Sequence, residues 1–383
     1  MTGQNFVNYH ILVSHSPACL NRDDMNMQKD AIFGGVRRVR YSSQSLKRAI
    51  RKSDYYEKHL GEESRRTREL GHLKKDFVEA LKDRYPAELV SKAMDWIAGA
   101  AIGDDNSATA VAPWALPEVA HFCEIIQNEP DLDERKLQKR IEKESAAFNA
   151  ALRNTVDIAL SGRMATSGLM TSVDGALSVA HVITTHKVDS DIDWFTAMDD
   201  LIEEQRAKER TGTSENAEKG AGHLNTQEFS SGVFYRYASL DLRQLQKNLG
   251  GGTREEALGI AAHVLHMLAT VTPAAKQKSF AAHNPADFAL VSLSDQPISL
   301  ANAFETPIKA KDRGLFNPSV ESLLRYWQAV HRGFGIAERT ALFETRPLDV
   351  TKTKDGDKKD MIEKPNPKAS LVELCDWLRQ DGK

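Results

Sequence analysis

The sequence predicts an α+β protein built on a mixed sheet, on three observations. Segments rich in β-branched and aromatic residues recur near the start, in the middle and in the C-terminal third. A block from about 60 to 150 is helical, charged and poor in strands, so it interrupts the sheet. A polar, acid-rich stretch from Asp189 to about Glu228 interrupts it again. With 383 residues there is room for two or three units, one inserted in another.

The elements follow in order. FVNYHILVS, residues 6–14, reads as a strand. SHSPACLNRDDMNMQKDAIFGG carries Pro17, Asn21, Gly34 and Gly35 and reads as a loop over much of its length. Ser42 or Ser43 then caps a helix through LKRAIRKSDYYEKHL, with Leu46 and Ile50 on one face and Lys47 and Arg51 on another. EESRRTRELGHLKKDFVEALKDRY, SKAMDWIAGAAIG, VAHFCEIIQ and LDERKLQKRIEKESAAFNAAL make up the helical block. Strand character resumes at TVDIALSGRM and GALSVAHVITTHKV, and the low-complexity EEQRAKERTGTSENAEKGAG reads as a mobile loop. EFSSGVFYRYASLDL is a long strand. After Gly250, Gly251 and Gly252, Thr253 caps a helix to about Thr270, with Glu255 and Glu256 in its favoured first turn. FALVSLS is a further strand and SVESLLRYWQAVHRGF a further helix. Without the insertions the order is strand, helix, strand, strand, helix, strand: the split βαβ, ferredoxin-like order of RNA-recognition domains.

Several function classes find no support. A composition of 41% hydrophobic and 27% charged residues is that of an ordinary globular protein. The most apolar run, ALGIAAHVLHMLATV, is shorter than the ~18 residues of a membrane span. MTGQNFVNYH lacks the basic start and apolar core of a secretory signal, so a cytoplasmic location is expected. Cys19, Cys123 and Cys375 are widely spaced and read as reduced thiols, and His263 and His266, in an apolar helical run, read as core histidines rather than metal ligands. No G-K-[ST] follows the triple glycine, and neither G-x-G-x-x-G nor G-x-S-x-G is present. No catalytic residue, metal or cofactor is expected. The alternative is metal-dependent phosphodiester cleavage by the adjacent Asp23 and Asp24.

The chain carries 51 basic and 54 acidic residues, yet VRRVRYSSQSLKRAIRK, residues 36–52, holds seven Lys or Arg and no acid. One sign of charge alone costs self-repulsion unless a polyanion sits there. Ser42, Ser43 and Gln44, with the free amides of a helix start, form a phosphate cradle that Lys47 and Arg51 extend by a turn. A solvated surface is the competing reading. The [KR]-G-[FY]-[GA]-F-V run of base-stacking domains is missing. Arg163 and Met164 leave a strand beside small residues, and Trp194 and Phe195 stand between acids in DSDIDWFTAMDD. For both stretches core packing and an exposed wedge stay open.

Taken together, SHSPACLNRDDMNMQKDAIFGGVRRVRYSSQSLKRAIRKS, VDIALSGRMATSG, VDGALSVAHVITTHKVDSDIDWFTAMDD and HLNTQEFSSGVFYRYA closely resemble the CasC family. This is the repeated (Cas-seven-type) backbone subunit of the type I-E Cascade complex of CRISPR antiviral defence. The resemblance covers nearly the whole chain. It implies a right-hand shape: a ferredoxin-like (RRM-like) palm from 1–59, 151–187 and 231–383, the last with C-terminal helices, helical fingers at 60–150 and a thumb at 188–230. It implies a non-catalytic protein whose copies, six in known assemblies, stack along a CRISPR guide RNA, kink it at regular intervals and present it to a target DNA strand. Its other partners are the large, small and end-capping Cascade subunits. Family guide-binding positions fall on Asn21, Arg22, Lys29, Ser42, Gln44, Lys47 and Arg51, with Arg163 and Met164 beside the kink and Trp194, Phe195 and Thr196 in the thumb. A duplex-guiding basic row falls on Arg135, Lys136 and Lys139, with Glu142 at its fourth position and Lys143 beside it. The inserts at 203–222 and 351–368 have no counterpart to which the resemblance assigns a role. Related backbones of type III systems cut RNA with an acid in the first loop, which is the context of the Asp23 and Asp24 alternative.

Overall fold

In a computed structural model of the protein, residues 4–104, 107–143, 155–165, 168–189, 191–197, 222–310, 314–346, 362 and 364–383 are described. The first half contains β1 (Phe6–Ala18), β2 (Asp30–Phe33), β3 (Val36–Tyr41), α1 (Ser43–Arg51), α2 (Asp54–Leu60), β4 (Arg65–Glu69), α3 (Leu70–Leu81), α4 (Ala87–Ala98), β5 (Ser107–Trp114), α5 (Leu116–Asn128) and α6 (Glu134–Lys143). Then follow α7 (Val156–Ser161), β6 (Leu177–Val179), β7 (Val182–Thr184), β8 (Asp191–Ala197), β9 (Gly222–Asp241), α8 (Leu242–Asn248), α9 (Arg254–Thr270), α10 (Gln277–Phe280), β10 (Phe288–Ser294), α11 (Phe316–Phe334), β11 (Arg339–Glu344), β12 (Pro367–Lys368) and α12 (Leu371–Arg379).

One mixed sheet organises the chain, in the order β12-β11-β10-β1-β9-β7-β3-β2, with β6 and β8 also paired to β9. Because successive strand residues face opposite sides, β1 serves two cores. Val7, Tyr9, Ile11 and Val13 pack with α1, α2, α9 and α12, whereas Leu12 packs with α11. Strand β10 is buried along its whole length between these layers. A third core, built on Leu73, Phe77, Val90, Met94, Phe122 and Leu137, belongs to α3–α6 and draws in Leu169 and Met170. Thr253 and Glu256 close a capping box at the start of α9 as its sequence predicts.

Several local expectations change. The loop expected after β1 contains β2, and the basic run opens as strand β3. Gly34 (φ 60°) and Gly35 (φ 72°) make the turn between them, where a side chain would be strained. The following helix divides at Ser53, whose hydroxyl caps α2. RRTRE is not helical but forms β4, paired with β5, so the helical block holds a two-stranded ribbon. TVDIALS is helix α7 rather than a strand. Its residues Val156 to Leu160 are all buried, which removes the alternation that separates the two. The acid-rich stretch contributes β8, paired with the long β9. Most of the insert at 203–222, and 351–361 of the second, lie outside the described residues. The C-terminal region adds β11 and β12 to the sheet besides its helices. His263 and His266 are half-buried rather than core residues, stacked in a cluster with Tyr55 and His59. All three cysteines are buried and free. Among the described residues no helix is long and apolar enough to cross a membrane.

Candidate nucleic-acid interface

The first loop and the start of α1 are tied together by backbone. The Lys29 amide donates to the Asn21 carbonyl (3.0 Å), the Arg40 amide to the Lys29 carbonyl (2.9 Å), and the Ser42 amide to Asn21 Oδ1 (3.0 Å). Asp23 Oδ1 accepts the amides of Met25 and Met27, both at 2.9 Å, and Arg22 donates to Asn26 Oδ1. The loop is therefore a built turn, and one carboxylate oxygen of Asp23 is committed to its backbone. Ser42 Oγ caps α1 by accepting the Ser45 amide at 3.1 Å, and no acid stands in the first turn. The positive end of the helix is left unneutralised beside exposed Gln44. Asn21, Lys29, Ser42 and Gln44 thus share one neighbourhood, and Lys47 follows on the same helix. A cleft of about 420 Å³ lies against Lys29, Arg37 and Arg40, with Asp23, Asp30 and Glu228 also in its lining.

The basic run itself is less free than its composition implies. Arg38 is fully buried and donates to the carbonyls of Thr184 (3.1 Å) and Phe304 (2.8 Å). Arg37 pairs with Asp30 (2.6 Å) and with buried Glu228 (2.5 Å), Arg51 with Glu63 (3.0 Å), and Lys52 with Glu63. Lys47 Nζ donates to the Leu177 carbonyl at 3.2 Å, and burial followed by the nearby Arg66 charge lowers its pKa. Acids outside the run, Asp30, Glu63 and Glu228, pair with three of its seven cations. Part of the self-repulsion is thus relieved within the fold, so the sequence argument from one sign of charge is weaker than composition implies. Arg48 is exposed and has no ion partner among the described residues.

Arg163 and Met164 take opposite positions. The Arg163 side chain is wholly buried and forms two 2.7 Å bonds to Glu118, with further bonds to Thr171 and the Pro113 carbonyl. It is an internal clamp between the end of α7 and α5, so the expectation of a surface contact at Arg163 is corrected. Met164, one residue on, is 81% exposed. Trp194, Phe195 and Thr196 lie on β8, paired with Thr226, Asn225 and Leu224; their side chains lie outside the described residues. Arg135, Lys136, Lys139 and Lys143 are exposed along α6, whose Leu137 and Ile141 enter the third core, far in sequence from the α1 cradle. Lys136 is held by Asp133.

Sequence reasoning missed Arg48, Arg66, Glu118, Asp157 and Glu228. Asp157 accepts the Ser64 amide and hydroxyl and pairs with Arg66 at 3.0 Å, while Arg51 stands 4.0 Å away. Glu228 accepts the Gln28 amide at 3.1 Å as well as Arg37, joining the base of the β8–β9 pair to the first loop. The three arginines of RRTRE were the available signal for Arg66; nothing local marks the acids. Among the described residues no group of three or more His, Cys, Asp or Glu side chains has the arrangement to hold a metal ion.

No curated protein matches the chain. Among solved structures, it is similar to a chain of a "CRISPR RNA-guided surveillance complex, pre-nicking". The TM-score is 0.74 with 26% identity, covering 99% of this chain and 100% of that one. A chain of a second "CRISPR RNA-guided surveillance complex" shares the fold at TM-score 0.59 and 22% identity, over 99% of this chain and 100% of that one. The profile of the CT1975-like protein family matches residues 7–377, nearly the whole length, and the chain belongs to that family.

Proposed function

We propose that this protein is a non-catalytic, CRISPR RNA-binding backbone subunit of a surveillance complex of the type I-E Cascade kind. The observation that carries the reading is the end-to-end likeness to a surveillance-complex chain at TM-score 0.74. The helix start at Ser42, joined to Asn21 and Lys29, supplies a cradle of the right chemistry: amides, hydroxyls and a cation that hold phosphate and sugar without reading bases. Copies stack along the guide RNA in the cytoplasm, beside large, small and end-capping subunits. The exposed Met164 is the wedge at each kink, held in place by Arg163.

The strand order β10-β1-β9-β7, with α1 and α9 on one face, supports reading the central layer as a ferredoxin-like palm. The separate core of α3–α6 supports a fingers unit at 60–150, and the β8–β9 pair supports a thumb at 188–230. The exposed row on α6 is the surface offered to target DNA.

Co-purification of a short RNA of uniform length is the expected result for the assembled complex. Lys29→Ala with Lys47→Ala should weaken binding about equally for unrelated RNA sequences. It should also flatten the log-log salt dependence by roughly 0.7 per lost single-strand contact. Sequence-selective loss, or none, counts against the reading. The type III-like nuclease alternative predicts regularly spaced cuts in complementary RNA with Mg²⁺, abolished by Asp24→Ala.

A further inference from the structure

We propose that the concave surface where the last turn of α1 meets β4 is a second phosphate-binding site, taking the sugar-phosphate chain of single-stranded RNA as it continues past the α1 cradle. The inference rests on the RNA-binding reading above and adds residues which that reading leaves out.

The cleft measures about 550 Å³, and five of its lining side chains are cationic: Arg48, Arg51, Lys52, Arg65 and Arg66. Three acids stand in the lining, Glu63, Glu69 and Asp76, against these five cations; Glu63 serves both Arg51 and Lys52, and Glu69 stands against His72. Outside the lining, buried Asp157 serves Arg66 with Arg51 at 4.0 Å, and Glu62 takes Arg65. Arg48, exposed at the rim, has no ion partner among the described residues. Arg66 also stands close enough to Lys47 and Arg51 for its charge to lower both their pKa values, after burial has done so first. Cations crowded around shared acids are relieved by an external anion. Leu73 and Val111 are the only large apolar side chains in the lining, so a lipid or an apolar small molecule finds little surface. Guanidinium groups match phosphate geometry with paired donors. Nine residues of α1 span roughly 13 Å, so a strand laid along the helix meets the Ser42 end and then this cleft.

The test uses the full-length protein, two labelled single-stranded RNAs of equal length and unrelated sequence, a labelled duplex DNA, and a salt series. Arg48→Gln with Arg65→Gln leaves the buried Asp157 pair intact and removes two exposed cations, so the melting temperature should hold. Both RNAs should then bind more weakly by the same factor, with the salt slope shallower by roughly 0.7 per lost contact. If Arg65→Gln disturbs β4, Arg48→Gln alone should show a smaller loss of the same kind, and Arg48→Glu a larger one. Unchanged affinity and slope, while Lys29→Ala with Lys47→Ala still weakens binding, overturns the cleft and leaves the proposed function standing. If neither pair of substitutions matters, both fall. Loss confined to duplex DNA overturns the assignment of RNA as the ligand.

Discussion

Arg163 shows how far one side chain can depart from what its neighbours in sequence suggest. Burying a guanidinium and a carboxylate is costly, and the cost is met only because Glu118 accepts two bonds while Thr171 and Pro113 take others. Removing one partner leaves an uncompensated charge. Arg163→Ala should therefore lower unfolding free energy by about 3–5 kcal/mol, whereas Arg163→Met with Glu118→Leu should recover most of that loss, both read from urea melts. Met164→Ala removes an exposed side chain and should change stability by less than about 0.5 kcal/mol. Its effect belongs instead in nucleotide protection of the assembled complex, where an unchanged pattern would rule out the wedge. Gly162 (φ 77°) supports the same turn: a Cβ there would meet the backbone of Gly175 and Val173, each at 2.7 Å.

At the scale of elements, α1 was legible and the use of its charges was not. Ser42 announces the cap and Leu46 and Ile50 the buried face, because both are local patterns. The partners of Arg37, Arg51 and Lys52 are acids that only folding brings near, so a run without acids reads as more positive than it is. Strand β4 and helix α7 were misread for similar reasons: the arginines of RRTRE suit either element, and α7 is buried on every side. Glu228 is the sharpest case of a residue with no local signature, since it joins β9 to the loop that carries Asn21 and Lys29. Glu228→Gln leaves Arg37 paired with Asp30 alone and weakens the bond to the Gln28 amide. A loss of about 1–3 kcal/mol is expected, with faster proteolysis within residues 21–29 than in the parent. Equal cleavage rates would show that the turn made by Asp23 suffices without the latch.

For the whole molecule, the central sheet buries polar groups between its layers, and this sets a dependence on acid that no surface charge count reveals. His10 on β1 shares a 2.8 Å hydrogen bond with the Tyr235 hydroxyl and stacks against Tyr237, and His15 lies edge-on to Phe234. Burial pushes the pKa of each down to about 3; Glu338 and His331 act in opposite senses on His10, and Arg236 adds to the lowering at His15. The folded state therefore keeps both rings neutral across a range in which the unfolded chain protonates them near 6.5. Their full contribution is present above 6.5 and is lost as pH falls toward 3, at up to about 1.4 kcal/mol per pH unit for each ring. His331, held 2.6 Å from Glu338 with its pKa raised, runs the other way. Its contribution is complete below the unfolded value and is lost as pH rises through the folded one, so it grows on acidification and offsets part of the fall. The two buried rings alone should make urea unfolding at about pH 7 and about pH 5 differ by roughly 3–4 kcal/mol, less what His331 returns. His15→Gln should halve that difference while lowering the stability of both conditions through poorer packing. A difference that His15→Gln leaves untouched would place the acid sensitivity elsewhere than in these two rings.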